Sequence, residues 1–396
     1  MTGAMARIND PNAKLPSTVW ILGFVSLLMD LSSEIYHALL PAFLTVTLGL
    51  PVAAMGAIDG VAEATASFAK LASGRLSDRS RRRKPWVLLG YGIAALSKPL
   101  FPLATSAWPV LGARFADRVG KGIRGAPRDA MIADETPPGL RGRAYGLRQA
   151  LDTVGAVIAP ILAIVLMAML AGDIRTVFWI AAVPAFLSFL LAWLALREPP
   201  VHHDGARAPL FAGFREIDPA TRRLIAVAFL FGLAGFSEAF LVLNAIEAGL
   251  SPAMSPLALV LFNIGFGGLA YQAGSWTDRG NPRTILFAGM SVLIAADLIL
   301  AMNWGIAGFA AGTILWGVHM ALTKGTFSRM IADSAPTHLR ATSFGAFHFA
   351  TGIATLLASV GAGLLWDRYG AGTTFIAAAG AAALSLAMLS LLPRES

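Results

Sequence analysis

The sequence predicts an all-α polytopic membrane protein of twelve transmembrane helices, and three observations carry that prediction. Of 396 residues, 56% are hydrophobic and 14% charged, with a mean hydropathy of +0.66, more apolar sequence than a soluble core absorbs. The apolar residues come in long runs, and a helix needs roughly 20 such residues to cross about 30 Å of hydrocarbon. Basic residues gather in alternate connections, the asymmetry that orients polytopic chains.

In chain order the expected spans are 18–45, 51–73, 86–105, 107–130, 144–170 and 175–196, then 223–247, 254–275, 284–302, 305–330, 342–366 and 372–392. Each is one continuous apolar run, whereas a membrane strand would be about ten residues alternating between faces. The leading residues, MTGAMARINDPNAKLPS, lack the short apolar core and cleavage site of a secretory signal, so the first span is expected to be retained. Loop 75–85 holds Arg75, Arg79, Arg81, Arg82, Arg83 and Lys84, and loop 197–223 holds Arg197, Arg207, Arg215, Arg222 and Arg223. The connections near 46–51, 248–253 and 302–305 have no basic residue. The expected domains are a cytoplasmic tail (1–17), a six-helix bundle (18–196), a cytoplasmic linker (197–222), a second six-helix bundle (223–392) and a cytoplasmic tail (393–396). Both termini are expected in the cytoplasm.

The net charge of +8 and pI near 10.2 are therefore topological, and no basic patch points to nucleic acid. Cysteine is absent, which excludes structural disulfides, thiolate metal sites and cysteine nucleophiles.

The chain repeats itself at an interval of about 200 residues. Gly74 and Asp78 return as Gly274 and Asp278, MIADETPPGLRGRAYG at 131 returns as MIADSAPTHLRATSFG at 330, and Ser33-Glu34 returns as Ser237-Glu238. One repeated segment follows the second span of each half and another the fourth, so the chain reads as two related six-helix bundles.

On these residues the sequence resembles the major facilitator superfamily, over nearly its whole length. That family's loop pattern after helix 2, roughly Gly-x-x-x-Asp-Arg-x-Gly-Arg-Arg, is matched by Gly74, Asp78, Arg79, Arg82 and Arg83, with Arg81 where glycine is usual. Its helix 4 pattern is met by Arg114, Gly120 and Gly122, with Asp117 and Arg118 in place of Gln-Gly. The helix 5 pattern of antiporters survives in weakened form as Gly155, Ala159, Pro160 and Ala163. The resemblance, to bacterial members of the drug/proton antiporter-like branch, implies secondary transport by alternating access. It also implies a conformational latch made by Gly74, Asp78, Arg79, Arg82 and Arg83 with the second copy Gly274, Asp278 and Arg279.

An ionisable side chain inside a span costs several kcal/mol unless it pairs or meets water, so such residues are the functional candidates. Asp30 with Glu34, Asp59 with Glu63, and Arg148 with Asp152 each stand at i, i+4, on one helix face. Arg114, Arg118 and Lys121 share a face of the fourth span. Counted from position 18 at 1.5 Å per residue, Asp30 lies about 18 Å deep and Glu34 about 24 Å. Asp30, Glu34, Asp59 and Glu63 are the proton-coupling candidates, Glu34 ahead of Asp30 because its Ser-Glu context recurs. Arg114, Arg118, Lys121, Arg148, Asp152, Glu238 and His319 are the substrate-cavity candidates.

Gly120, Gly122 and Gly125 spell Gly-x-Gly-x-x-Gly, but a dinucleotide site needs a strand before it, and here the pattern sits inside an apolar helix and reads as close packing. No His-Glu-x-x-His, Gly-x-Ser-x-Gly or phosphate loop argues for an enzyme. His202, His203 and Asp204 lie in the linker, and His37, His319 and His348 lack ligand spacing, so neither metal nor cofactor is expected. The expected function is proton-coupled efflux of a small organic solute across the cytoplasmic (inner) membrane by a monomer. The alternatives are uptake of an organic anion with a proton, and transition-metal export. The partners are the substrate, protons and the lipid bilayer.

Overall fold

The computed structural model describes residues 14–80, 82–137, 140–198, 217–335 and 340–391. The tails to residue 13 and from 392, Arg81 and linker residues 199–216, with His202, His203 and Asp204, lie outside the described residues. At positions 74, 75, 78, 79, 278 and 279 the helical backbone is described but not the side chains.

Among the described residues, twelve membrane-crossing helices follow one another and there is no strand. Helix α1 is Ser17–Ala42. Its Pro41 has no N–H to give the preceding turn, and the chain continues as a π-helical turn, Phe43–Thr47, closed by Leu48 N–H donating to the Phe43 carbonyl at 2.9 Å. Helix α2 is Val52–Ser80, longer than the sequence suggests. Residues 74–80 contain no proline, and a glycine within a helix costs only about 1 kcal/mol. The Gly74 to Arg79 segment therefore forms the last turns of a helix, not a loop.

Helix α3 is Lys84–Ser97, opened by Pro85 in its first turn. Pro99 interrupts it, and a further turn, Leu100–Leu103, completes the crossing. Helices α4, Ala107–Glu135, and α5, Arg141–Met169, each run for 29 residues. Helix α6, Ile174–Ala195, is capped by Asp173, which accepts from the backbone N–H groups of Arg175 and Thr176 at 3.0 and 3.3 Å.

Helix α7 comes in two pieces, Pro219–Gly232 and Ala239–Glu247, where the sequence pattern predicts one run. Gly232 and Gly235 lower helix propensity at the break, and the Ser237 N–H goes to the Ser359 hydroxyl at 3.2 Å instead of to a helical carbonyl. Helices α8, Leu257–Arg279, α9, Pro282–Ala301, and α10, Gly305–Ser334, follow. The final helical stretch, Arg340–Leu391, bends at Gly370, whose φ of 84° suits glycine, into α11 before the bend and α12 after it.

By length and composition, eight segments among the described residues can cross a membrane, the last of them being α11 and α12 together. Helices α2 and α4 are outside that set because of their charges, and α7 because it is broken.

The chain forms two compact units, Met1–Ala38 with Thr65–Gly205 and Leu39–Ala64 with Ala206–Ser396. The core of the first includes Val19, Leu22, Val25, Met29, Val87, Tyr91, Met131 and Ile132. Glycines let its helices touch. A Cβ on Gly120 would lie 2.6 Å from the Gly90 carbonyl of α3, and one on Gly122 would lie 2.7 Å from the Ala66 carbonyl of α2. The Gly-x-Gly-x-x-Gly pattern is thus a packing surface. In the second unit α8 and α10 meet in the same way at Gly265 and Gly317.

Candidate functional site

The charged residues of the first unit line up by helical periodicity. On α1, Ser26, Asp30, Ser33, Glu34 and His37 recur at spacings of three and four, and on α4 so do Arg114, Asp117, Arg118, Lys121, Arg124 and Arg128. Toward one end of this face lies Lys98, 1% exposed, held at the point where Pro99 interrupts α3. Its ammonium donates to Asp117 Oδ1 at 2.8 Å and to Ser33 Oγ at 3.0 Å, and sits 4.9 Å from the centre of the Tyr36 ring. The Tyr36 hydroxyl donates to the Phe178 carbonyl at 2.5 Å and lies 3.2 Å from the Lys98 carbonyl. Arg118 Nε stands 3.8 Å from the second Asp117 oxygen, and Arg114 Nη2 is 3.0 Å from His37 Nδ1.

Nearer the other end, Arg128 donates to Ser26 Oγ at 2.6 Å and meets Asp129 at 3.3 Å. Arg148 of α5 donates to Asp152 Oδ2 at 2.6 Å and stands 3.9 Å from Asp129.

Between these groups lies Asp30, subject to the charges of Asp152, Lys121, Arg124 and Glu34. Helix α5 comes this close because position 155 is glycine: a Cβ there would lie 3.1 Å from the Leu27 carbonyl and 3.4 Å from Asp30 Cβ. Lys121 is exposed, while Arg124 is buried with its guanidinium 4.8 Å from the centre of the Tyr91 ring. Asp30 thus feels the charges of two cations and two carboxylates, a balance that shifts when one proton is added.

The second unit has a different site. Asp59 of α2, 4% exposed, accepts from the Ser237 hydroxyl in the break of α7. Glu63 lies one turn on, half-buried, and Glu238 stands at the position just before the second piece of α7. Broken helices at membrane depth present backbone groups that a regular helix would consume. His319 of α10 is 2% exposed among aromatic rings, 4.8 Å from Trp316 and 6.2 Å from Phe231 between centroids. Asp297, fully buried, accepts from the Trp316 indole at 3.0 Å.

Of the expected residues, Asp30, Glu34, Lys121, Arg148 and Asp152 are gathered in the first unit, with Arg114 and Arg118 further along α4. Glu238 lies at the helix break and His319 within the aromatic core. Sequence reading missed Lys98, Tyr36, Ser33, Arg124, Arg128 and Asp129. The signal for Lys98 was a lone lysine beside a proline inside an apolar run.

In the expected latch, Arg82 is exposed and Arg83 is 3% exposed. Arg83 donates to Ser77 Oγ at 2.9 Å and meets Asp134 at 3.3 Å, and its backbone N–H donates to the Glu198 carboxylate. The two repeated segments of the first half, after α2 and at the end of α4, therefore touch. A Cβ on Gly274 would meet no neighbour. The side chains of Asp78, Arg79, Asp278 and Arg279 lie outside the described residues. Among the described residues no group of three or more His, Asp or Glu side chains is arranged to hold a metal.

The family model of the Major Facilitator Superfamily matches residues 22–248 and 239–396. The chain is 28% identical over 368 residues to an uncharacterized MFS-type transporter of Methanocaldococcus jannaschii, covering 91% of this chain and 92% of the other. It is 27% identical to a probable 4-methylmuconolactone transporter of Cupriavidus pinatubonensis, over 79% of this chain and 74% of the other. To the class C tetracycline resistance protein of Escherichia coli it is 29% identical, over 66% and 67%. Among solved structures, the nucleoside transporter NupG shares the fold at a TM-score of 0.78 and 13% identity, over 96% of this chain and 100% of the other. With two bundles of six helices, repeated segments after the second and fourth, and a family match along its length, this chain belongs to the Major Facilitator Superfamily and is a transporter rather than an enzyme.

Proposed function

We propose that the chain expels a small organic solute across the cytoplasmic membrane in exchange for protons, as a monomer with both termini inside, and that Asp30 carries the proton. The observation that supports this most is the setting of Asp30. Asp30, near mid-span by residue count, lies within electrostatic reach of Lys121, Arg124, Glu34 and Asp152, so adding or removing one proton alters the charge balance that these side chains share. The geometry favours Asp30 over Glu34, because Gly155 brings α5 against the α1 backbone at Leu27 and Leu31 and against Asp30 Cβ. Asp59, bonded to Ser237, is a second proton candidate, with Glu63 next to it. Efflux is supported by similarity to a tetracycline resistance protein and by the partial antiporter pattern at Gly155, Ala159, Pro160 and Ala163.

A second reading, uptake of an organic anion together with a proton, keeps Asp30 and reverses the direction. Similarity to a probable 4-methylmuconolactone transporter supports it.

The test begins with a thermal-shift screen of anionic, cationic and neutral compounds, because a ligand at 100 times its Kd adds about 2.7 kcal/mol of stability. Stabilising compounds are then loaded into proteoliposomes carrying a pH gradient. Efflux predicts that the compound moves against the direction of proton flow and stops when a protonophore is added. Movement in the same direction as the proton supports uptake, and flux indifferent to the protonophore removes proton coupling.

A further inference from the structure

In the second unit, Asp297 of α9 is a buried carboxyl that no neighbouring charge neutralises. It is 0% exposed and lies about 22 Å along its helix by residue count. Its Oδ1 accepts the Trp316 indole N–H at 3.0 Å, and its Oδ2, buried as well, has no hydrogen-bond partner. The other charged residue of α9, Arg283, stands near the start of the helix. Helix α10 brings His319, 2% exposed, and beyond it Lys324, Arg329 and Asp333 toward its far end. Helix α8 has Tyr271, Asp278 and Arg279 in its second half. The last helical stretch also packs on α9, and its ionisable residues are Arg340, His348, Asp367, Arg368 and Tyr369, with none in α12. Among the described residues, none of these places a charge within reach of Asp297.

An ionised carboxylate taken out of water is strongly unfavourable unless a counter-charge accompanies it. The Trp316 indole supplies a hydrogen bond but no charge, and a water on Oδ2 would do the same. A bound metal or amine is excluded by space. A Cβ on Gly312 of α10 would fall 3.2 Å from the Ala296 carbonyl and 2.6 Å from Leu300 Cγ, so α9 and α10 touch on both sides of Asp297. A proton on Oδ2 removes the charge outright and leaves Oδ1 as the carbonyl that accepts from Trp316. Thr313 Oγ1 and His319 Nδ1, one turn to either side of Trp316 on the same face of α10, are also buried without hydrogen-bond partners. They are polar atoms ready to bind water when it enters, and water is what would take the proton away.

We propose that Asp297 is a second proton-binding site, whose Oδ2 holds a proton in this conformation and yields it to water during the transport cycle. The proposal rests on the reading of the chain as a proton-coupled transporter and adds a second proton to the one assigned to Asp30.

Infrared difference spectra of the full-length protein in lipid test the first half of this assignment. The parent shows a carboxylic-acid C=O band that Asp297→Asn lacks. Trp316→Phe removes the donor to Oδ1 and moves the same band to higher frequency, a shift that a merely structural carboxylate without a proton would not show. Proteoliposomes test the second half, with solute and proton movement recorded together for a compound chosen by the thermal-shift screen. The ratio of protons to solute falls about twofold in Asp297→Asn while solute flux continues. Carboxylic-acid bands unchanged by Asp297→Asn show that Asp297 is ionised and overturn the proposal. A lost band with an unchanged ratio also overturns it, because the proton then never leaves. Should Asp297→Asn fail to fold, Trp316→Phe decides, since a spectrum that it leaves unchanged overturns the proposal. A parent that moves no protons with solute contradicts the proton coupling as a whole, whereas a coupled parent whose ratio is indifferent to Asp297→Asn contradicts this site alone.

Discussion

Among single residues, buried charge has the largest energetic consequences, and Lys98 with Asp117 is the clearest case. Both side chains are at most 2% exposed and 2.8 Å apart. Removing one partner of such a pair strands the other in a low-dielectric interior and costs about 3–5 kcal/mol, whereas replacing both by apolar groups is often neutral. Lys98→Met alone is therefore expected to lower the unfolding temperature of the purified protein sharply, and Lys98→Met with Asp117→Leu to cost less than the sum of the two single changes, Arg118 beside Asp117 keeping the recovery incomplete. Equal, additive losses would show that the two side chains act independently. The pair was not legible in the sequence. Its partners are 19 positions apart on different helices, and hydrophobic periodicity reports which helix a lysine is in, not which carboxylate faces it. Asp30 was legible because mid-span depth alone marks a carboxylate as costly. Its neighbours Arg124 and Asp152 required the fold.

Helices are fixed chiefly by their glycines and their ends. Gly122→Leu would drive a side chain into the Ala66 carbonyl and the Lys70 amide. Gly125→Ala would place a methyl 3.6 Å from the Lys70 side chain, an ordinary contact. Fluorescence-detected size exclusion should show folded protein for the second and little for the first. Folding of both would remove the packing explanation of this glycine pattern. The cap of α6 gives a pH prediction. Hydrogen bonds from the Thr176 hydroxyl, then from backbone N–H groups, hold the Asp173 carboxyl below its usual range. A depressed folded-state pKa contributes stability that is present above the unfolded value and disappears as pH falls through the folded one. Asp173→Ala should therefore lower the melting temperature slightly at neutral pH, and the difference from the parent should vanish under acid conditions. Element types were readable from span length and apolar runs, and the repeated segments marked the two halves. The break in α7 and the extension of α2 to Ser80 were not readable. Both depend on whether a glycine is overruled by packing: Gly74 and Gly122 lie in continuous helices, while Gly232 and Gly235 border a break.

For the whole molecule, the alternation of basic and non-basic connections predicts an orientation with both termini inside. Ser80→Cys should be labelled only from the cytoplasmic side and Ser106→Cys only from outside. Reversed labelling would invert the orientation while leaving the fold intact. The two units share no regular boundary with the sequence halves, since α2 starts in one and ends in the other, and a repeat in the sequence carries no trace of that. Transport driven by a proton on Asp30 is tested most directly in proteoliposomes containing Asp30→Asn, the compound selected by thermal shift and a pH dye. Gradient-driven flux and solute exchange at equal pH are measured on the same preparation. If Asp30 carries the proton, Asp30→Asn loses gradient-driven flux and solute-linked proton movement by at least tenfold while exchange persists. Glu34→Gln should keep both within a few-fold. Full gradient-driven flux in Asp30→Asn would contradict the assignment and move the proton to another carboxylate.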